Sequence, residues 1–283
     1  MSQDRKAQEI NRVWWNERAG FHLETAFYQN FKRRLDDGGH ALLRREVEEL
    51  GDISGLDVLH VQCHVGTDTL SLVRLGANAT GIDFSPVAIE KARNLAETLG
   101  IPSRFEQAEI GSLSARFGPQ FDLVFTSYGV LSWLPNLSLW AHNIAGCLRP
   151  GGRFYIIEGH PLAYAIADNA NIEGGTLELE YPYLAQPNPQ PFIGSGSYAD
   201  RERATTANDT REWSWGLGDI TNALMEAGLQ LRWLREHPEG FCPIHPAMKK
   251  CDDGHYRLPA PIHGRFPMTF SIMADKLSNT KIR

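Results

Sequence analysis

The sequence is short of three features that would each define a class of protein. It contains 4 cysteines among 283 residues, too few for a disulfide framework, so we expect free thiols in a reducing cytoplasm. No apolar run reaches about 18 residues, which argues against a membrane-spanning helix. The first residues are polar and lack the apolar core of a signal peptide. These absences predict a cytoplasmic protein with no membrane contact.

A strong basic bias is also missing. Lysine and arginine number 28 against 34 aspartates and glutamates, a formal net charge of −6. The densest basic clusters, at residues 32–34 and 44–45, fall in a predicted helical arm. A solvated helix face explains them better than a nucleic-acid site. We therefore expect no nucleic-acid partner.

From residue 55 onward, short apolar segments alternate with helical patterns. This order predicts a parallel sheet with helices on both faces, an α/β and doubly wound fold. Two later strands, at 229–234 and 268–273, are predicted to pair antiparallel at the far side of the sheet. The five earlier strands are predicted at 57–61, 79–82, 104–107, 121–126 and 154–158.

Three segments fall outside this alternation. Residues 1–50 read as a helical arm rich in aromatic side chains. Residues 159–212 are dense in proline and glycine, and we interpret them as an insertion that covers the site, with one alternating stretch at 176–181 predicted to be a strand. Residues 237–266 are predicted to be a long loop. Apart from the arm, residues 51–283 are expected to form one domain.

The loop after the first strand points to a nucleoside site. In an open parallel sheet, ligands bind beyond the carboxyl ends of the strands, where the strand order reverses, and a carboxylate about 20 residues on holds a ribose. Here the second strand ends in Asp83. A dinucleotide fingerprint needs G-x-G-x-x-G, whereas Gln62 and His64 stand at glycine positions and only Gly66 remains. A nicotinamide-dependent oxidoreductase is therefore the less favoured alternative.

The run from residue 58 to 85, V-L-H-V-Q-C-H-V-G-T-D-T-L-S-L-V-R-L-G-A-N-A-T-G-I-D-F-S, resembles motifs I and II of class I S-adenosylmethionine-dependent methyltransferases. Its Q-C-H-x-G-T-D loop is similar to a variant seen in small-molecule enzymes. Residues 106–110, 121–127 and 148–153 resemble later motifs of that family in order and spacing. The resemblance implies a Rossmann-like, mostly parallel seven-stranded sheet with an antiparallel C-terminal hairpin and a helical N-terminal lid.

The same resemblance implies S-adenosylmethionine as cofactor, S-adenosylhomocysteine as product, and methyl transfer to a nitrogen, oxygen or sulfur of a small molecule. One departure concerns motif I, where His60 replaces the usual acidic residue. This leaves a catalytically silent cofactor-binding protein as a second alternative.

Carried over residue by residue, the resemblance assigns cofactor contacts along the strand tips. Asp83 would hold the ribose, Phe84 would lie against the adenine, and Gly66 would allow close approach of the methionine part. His64 or Asp68 would contact the methionine end. The full predicted set is His64, Gly66, Thr67, Asp68, Asp83, Phe84, Glu109 and Ile110 (both at the adenine), and Thr126 and Ser127 beneath the sulfonium.

The acceptor side rests on fewer signals. His160 directly follows the fifth strand and is the candidate general base, since a histidine titrates near neutrality. The spacing of Cys242 with His245 and of Cys251 with His255 is compatible with zinc. Nothing else in the sequence demands a metal, so none is predicted. Aromatic residues of the lid and of the later loops are predicted to line the acceptor pocket: Trp14, Tyr28, Tyr128, Trp133 and Tyr198.

Overall fold

The computed structural model describes residues 3–260 and 262–278. The strands are β1 Asp57–Val61, β2 Asn78–Asp83, β3 Arg104–Gln107, β4 Phe121–Ser127, β5 Leu148–Gly159, β6 Gln190–Ile193, β7 Asp209–Glu212, β8 Leu229–His237, β9 Glu239–Gly240, β10 Lys249–Lys250, β11 Tyr256–Arg257 and β12 Thr269–Lys276. The α-helices are α1 Gln3–His22, α2 Ala26–Asp36, α3 Arg44–Leu50, α4 Thr67–Arg74, α5 Pro86–Leu99, α6 Leu113–Phe117, α7 Leu137–Cys147, α8 Pro161–Tyr164 and α9 Leu217–Glu226.

A seven-stranded sheet with the order β3-β2-β1-β4-β5-β12-β8 forms the centre of the molecule. Strands β1 to β5 run parallel, and β12 is antiparallel to both β5 and β8. The order reverses between β1 and β4, so the loops after these strands diverge and leave a crevice. The predicted fold class is confirmed, including its antiparallel C-terminal pair.

Both faces of the sheet are covered by apolar side chains. Alternate residues of a strand point to opposite faces. On β1, Leu59 packs with Trp140 of α7, whereas Val58 packs with Leu50 of α3 and with Leu72 of α4. Among the described residues, no helix is long and apolar enough to cross a membrane.

The helix after β2 is bounded by the signals that the sequence carries. Ser85 accepts a hydrogen bond from the Ala88 N–H at 3.0 Å, and Pro86 occupies the first helical position. Gly100 ends the helix with a φ of 60°, in the left-handed region that glycine enters without steric cost. These bounds place Asp83 directly before the helix, at the edge of the crevice.

Three local predictions were wrong. The fifth strand, predicted to begin at residue 154, begins at Leu148, and within its first residues Gly151 has a φ of 83° and the pairing with β4 shifts register. The expected strand at 176–181 is reduced to one bridge between Leu179 and Ile166, and the insertion's strand pair is β6 with β7. The loop at 237–266 contains the small sheet β10-β11-β9. In the last two cases, pairing partners distant in sequence decide the structure.

Candidate functional site

A first cavity of about 130 Å³ opens at the carboxyl ends of β1, β2 and β4. Its floor is the loop after β1 and the tip of β4, and residues of α1, α2 and α3 close it from above. The lining includes Trp15, Tyr28, Glu46, His60, Gln62, His64, Thr67, Asp68, Asp83, Phe84, Ser127, Tyr128, Trp133, Tyr198 and Phe241.

Backbone strain in the described residues is concentrated at this cavity. Apart from glycine, the positive φ angles belong to Gln62 at 61°, His64 at 48° and Tyr128 at 22°, all in the lining. Such conformations cost of order 1–3 kcal/mol each and cluster at binding and catalytic sites. Gln62 and His64 thus keep a backbone conformation suited to glycine, while adding side chains to the cavity.

Asp83 is the carboxylate that ties the two strand tips together. Its Oδ2 accepts the His64 N–H at 2.9 Å and its Oδ1 accepts the Ser85 N–H at 2.8 Å. The residue is 6% exposed. Burial raises the pKa of the Asp83 carboxyl to about 6, although the backbone N–H groups act in the opposite direction. A carboxylate has about four lone-pair sites, so it can accept further hydrogen bonds from a ligand.

A second carboxylate, Asp68, lies in the first turn of α4. Its Oδ2 accepts a hydrogen bond from Ser127 Oγ at 2.9 Å, and Ser127 Oγ lies 3.4 Å from His60 Nε2. Burial lowers the pKa of His60 to about 3, which keeps its imidazole neutral, and burial raises the pKa of Asp68. The carboxyl group at position 68 therefore lies close to the neutral imidazole at position 60, with Ser127 Oγ between them.

Glu46 was not predicted from the sequence. It is 1% exposed on α3, and its Oε2 accepts the Leu43 N–H at 2.5 Å. Burial raises the pKa of its carboxyl well above the ordinary value, while a hydrogen bond with Tyr128 acts against that shift. The Tyr128 ring stacks on Phe241 at 4.1 Å. Nothing in the local sequence marks Glu46 as a cavity residue, since a glutamate at the third position of a short amphipathic helix is typical of a capping residue.

The lid is tied to the cavity by two histidines. His22 Nδ1 lies 2.8 Å from His64 Nε2, and His22 Nε2 lies 2.9 Å from Ser197 Oγ. Burial lowers the pKa of His22 to about 2 and that of His64 to about 3, so both rings are neutral near pH 7. One contact chain thus joins α1, the loop after β1 and the insertion.

Arg18 fastens α1 to the insertion. Its side chain is fully buried and donates hydrogen bonds to the carbonyls of Gly196 and Ala207. The guanidinium also lies 4.0 Å from the centroid of the Trp14 ring, and Trp14 stacks on Trp133 at 5.6 Å. The position of the aromatic lid depends on a cation that sequence reasoning did not single out.

A second, larger cavity of about 370 Å³ adjoins the first. It lies between α1, the end of β5, the insertion and the loop after β8. Five residues line both cavities and separate them, and we call them the dividing wall: Trp15, Gly129, Trp133, Tyr198 and Phe241.

Glu158 at the end of β5 holds the loop after β4, since its carboxylate accepts the N–H groups of Gly129 and Val130 at 2.5 and 2.7 Å.

The structure gathers most of the predicted residues. His64, Thr67, Asp68, Asp83, Phe84, Ser127, Tyr28, Tyr128, Trp133 and Tyr198 line the first cavity, and Trp14 lines the second. Thr126 lines neither cavity, because it neighbours Ser127 on a strand and its side chain points to the opposite face. Glu109 is exposed and Ile110 half-buried, and both lie outside the two linings.

One predicted residue has a packing role as well, and another predicted role needs correction. A Cβ on Gly66 would lie 2.7 Å from Phe105 and 2.8 Å from Ala92, at a φ of 81°. Glycine at position 66 is therefore needed for packing α4 onto α5 and β3, and its role in the approach of a ligand stays a prediction. His160 accepts the Leu162 N–H at Nδ1, and its Nε2 lies 2.9 Å from Glu236. It caps α8 and lines neither cavity, so the structure does not place it as a base.

The cysteines and histidines of the late loop have separate partners. His245 Nε2 lies 3.2 Å from the Ala167 carbonyl, Cys251 Sγ lies 3.7 Å from the Lys249 carbonyl, and His255 Nδ1 lies 3.6 Å from Asp253 Oδ1. Within residues 3–260 and 262–278, no group of three or more His, Cys, Asp or Glu side chains is arranged to hold a metal ion. The four cysteines are unpaired.

The central part of the chain is similar to known methyltransferases. Residues 59–154 match a family model described as a methyltransferase domain. A structure of an S-adenosylmethionine-dependent methyltransferase from Mesorhizobium loti superimposes on this fold with a TM-score of 0.56 at 17% identity. That alignment covers 82% of this chain and 96% of the other.

Curated relatives match part of the chain. The ubiquinone biosynthesis O-methyltransferase of Methylobacterium sp. strain 4-46 is 27% identical over 148 residues, 52% of this chain and 59% of the relative. Its counterpart from Alkalilimnicola ehrlichii is 31% identical over 120 residues, 42% of this chain and 48% of the relative. The chain thus spans about half the length of these relatives.

Proposed function

We propose that the protein transfers a methyl group from S-adenosylmethionine to a nitrogen, oxygen or sulfur atom of a small molecule. The observation that carries this proposal is the pair of carboxylates, buried Asp83 and half-buried Asp68, facing one cavity that shares a wall with a second. The first cavity holds the methyl donor and the second holds the acceptor.

The donor set of the first cavity suits the cofactor. Asp83 would accept hydrogen bonds from the two ribose hydroxyls and Phe84 would lie against the adenine, while Glu109 and the Ile110 N–H, outside the cavity lining, would meet its edge. Gln62 Oε1 is buried and has no hydrogen-bond partner among the described residues. Together with Asp68 it can accept from the α-ammonium group of the methionine end, because an unpaired buried acceptor favours a donor-bearing ligand.

The remaining lining residues position the reaction. The cofactor supplies a methyl group activated on a sulfonium. The methyl–sulfur bond breaks as a lone pair of the nucleophile forms the new bond, the sulfonium becomes a neutral thioether, and a proton carried by the nucleophile is released. Trp15 and Trp133 of the dividing wall hold the two reactants in line and exclude water, which accounts for much of the catalysis in such displacements.

Entry of the cofactor requires the lid to move. The first cavity, at about 130 Å³, is smaller than the roughly 300 Å³ at which ligand pockets usually begin. Trp15, Tyr28 and Tyr198 narrow it from above, and α1 carries the first of these. We propose that α1 opens for exchange of the cofactor and closes for reaction.

The protein is proposed to work in the cytoplasm, because its unpaired cysteines suit a reducing compartment.

Binding and turnover test this proposal together. Calorimetry with S-adenosylhomocysteine is expected to show saturable binding to the wild type, with affinity at least about 100-fold weaker in Asp83→Ala, since two charge-assisted hydrogen bonds are lost. The exposed Asp252→Ala variant is the matched control. Labelled methyl transfer against small phenols, thiols and amines then identifies the acceptor. Equal affinity in the two variants would overturn the assignment, and tight binding without turnover would favour a silent binding protein.

A further inference from the structure

The second cavity combines aromatic walls with an acidic bias. Trp14, Trp213, Tyr181 and Phe192 bring rings from the lid and from three segments of the insertion region, and Tyr181 lies 5.4 Å from Phe192. The faces of such rings attract cations. Of the ionisable side chains in the lining, three are carboxylates, Glu158, Asp168 and Glu212, and one is a guanidinium, Arg201.

The four charged groups differ in how well hydrogen-bond partners or solvent already stabilise their charges. Glu158 accepts several backbone N–H groups, as described for the loop after β4. Asp168 is exposed to solvent. Arg201 donates to the Pro243 carbonyl at 2.7 Å. Glu212, on β7, accepts one hydrogen bond, from Thr210 Oγ1 at 3.0 Å, and among the described residues no Lys, Arg or His nitrogen lies within 4.0 Å of it.

Glu212 is also held in place. Asn11 of the lid pairs with the backbone of Arg211 in both directions, with distances of 2.7 and 2.8 Å. The Trp213 N–H donates to the Ser132 carbonyl at 2.8 Å. Burial raises the pKa of the Glu212 carboxyl. A fixed, half-buried carboxylate with no cation beside it among the described residues is costly, and a cationic ligand would remove that cost.

We propose that the second cavity binds a methyl acceptor that joins a flat apolar or aromatic frame to a protonated amine, and that Glu212 binds the amine. The inference rests on the proposed function, because it names the acceptor class for the same enzyme. Glu212 lines the second cavity and not the first. A protonated amine has no free lone pair, so it serves as the recognition group, and a different atom of the acceptor is methylated at the dividing wall.

Two probes that share a ring and differ in charge test the inference. Tyramine carries a phenol and an ammonium group, whereas 4-ethylphenol has the same ring without the charge. With S-adenosylhomocysteine bound, calorimetry is expected to show tyramine binding at least about tenfold more tightly than 4-ethylphenol, in keeping with a hydrogen bond to a charged group. Glu212→Gln is expected to abolish this preference. Glu202→Gln, an exposed carboxylate in the same insertion, is the matched control and keeps it.

The outcomes separate this inference from the proposed function. If the wild type binds S-adenosylhomocysteine but binds both probes equally, or binds neither, the acceptor assignment is wrong and the cofactor assignment stands. If Glu212→Gln retains the preference for tyramine, Glu212 is not the amine site. If the wild type does not bind S-adenosylhomocysteine, the proposed function itself is wrong.

Discussion

The two cavities differ in how they are built. The first takes its polar groups from neighbouring strand tips, with Asp68 and Asp83 lying 15 positions apart in the chain. The second takes its walls from the lid, the insertion and the loop after β8, so that Trp14 and Trp213 meet across nearly 200 residues. The first offers hydrogen-bond acceptors, and the second offers rings and a carboxylate, Glu212, that has no Lys, Arg or His partner in the described part of the chain.

This difference separates a general task from a specific one. Binding a nucleoside needs acceptors at fixed places, which the ends of parallel strands supply in any doubly wound sheet. Choosing an acceptor needs a pocket whose shape is free to vary, and segments outside the sheet supply it. Changes near the strand tips should therefore alter cofactor binding or the fold, whereas changes in the insertion should alter the choice of acceptor.

The largest effect is expected at the glycine that supports the first cavity. Gly66→Ala places a Cβ 2.7 Å from Phe105 at a positive φ, which should lower the free energy of unfolding by about 2–5 kcal/mol. Gly100→Ala is the matched control, because its φ is 60° and nothing lies within 4 Å of the added Cβ. It should cost about 1 kcal/mol. Denaturant titration measures both, and equal losses would contradict the packing role of Gly66.

A paired comparison of one residue from each cavity should give the next largest effect. Asp68→Asn removes a charge from the first cavity and should weaken S-adenosylhomocysteine binding about 10- to 100-fold. Trp213→Leu alters the second cavity alone and should leave that affinity within about twofold. Calorimetry measures both constants. A loss in Trp213→Leu as large as that in Asp68→Asn would remove the distinction between the cavities.

The pH dependence of binding should report Asp83. Burial raises the pKa of its carboxyl to about 6, and the ionised form is the one that accepts both ribose hydroxyls. Binding therefore favours the ionised form, and affinity should fall as pH decreases below about 6, by up to about tenfold per pH unit. In Asp83→Asn this dependence should disappear. S-adenosylhomocysteine affinity measured from about pH 5 to about pH 8 checks it, and an unchanged profile in the variant would assign the titration elsewhere.

The smallest effect concerns the strained loop. Gln62 has a φ of 61° and a buried Oε1 without a partner. Gln62→Gly should stabilise the protein by about 1 kcal/mol, because glycine adopts this conformation without strain. The same change should weaken S-adenosylhomocysteine binding, since an acceptor for the ammonium group is lost. Increased stability with unchanged affinity would show that Gln62 has no part in binding.

The first cavity was largely predictable because its signals are local. The position of Asp83 at the end of β2 and the loop around His64 follow from strand and helix patterns over about 30 residues, the span of one strand-helix-strand unit. The reason for Gly66 was not predictable, since the neighbouring Phe105 comes from another strand. Only the order of the strands in the sheet shows that α4, α5 and β3 meet at Gly66.

The second cavity was predictable only in part. The aromatic lid residues Trp14 and Tyr28 were identified from composition, but their anchor, Arg18, reads as an ordinary helical cation. Glu212 is the last residue of the predicted insertion, and no sequence pattern marks it. Its significance depends on the lack of a cationic side chain beside it among the described residues, and the packing of segments that are distant in sequence decides this. His160 was misassigned for the same reason, because Glu236 on β8 engages its ring.

A crystal structure determined with S-adenosylhomocysteine would test the central claim most directly. The account predicts density in the first cavity, with both ribose hydroxyls within hydrogen-bond distance of Asp83 and the sulfur directed at the dividing wall beside Trp133. A nucleoside bound in the second cavity, or one whose ribose lies away from Asp83, would contradict it.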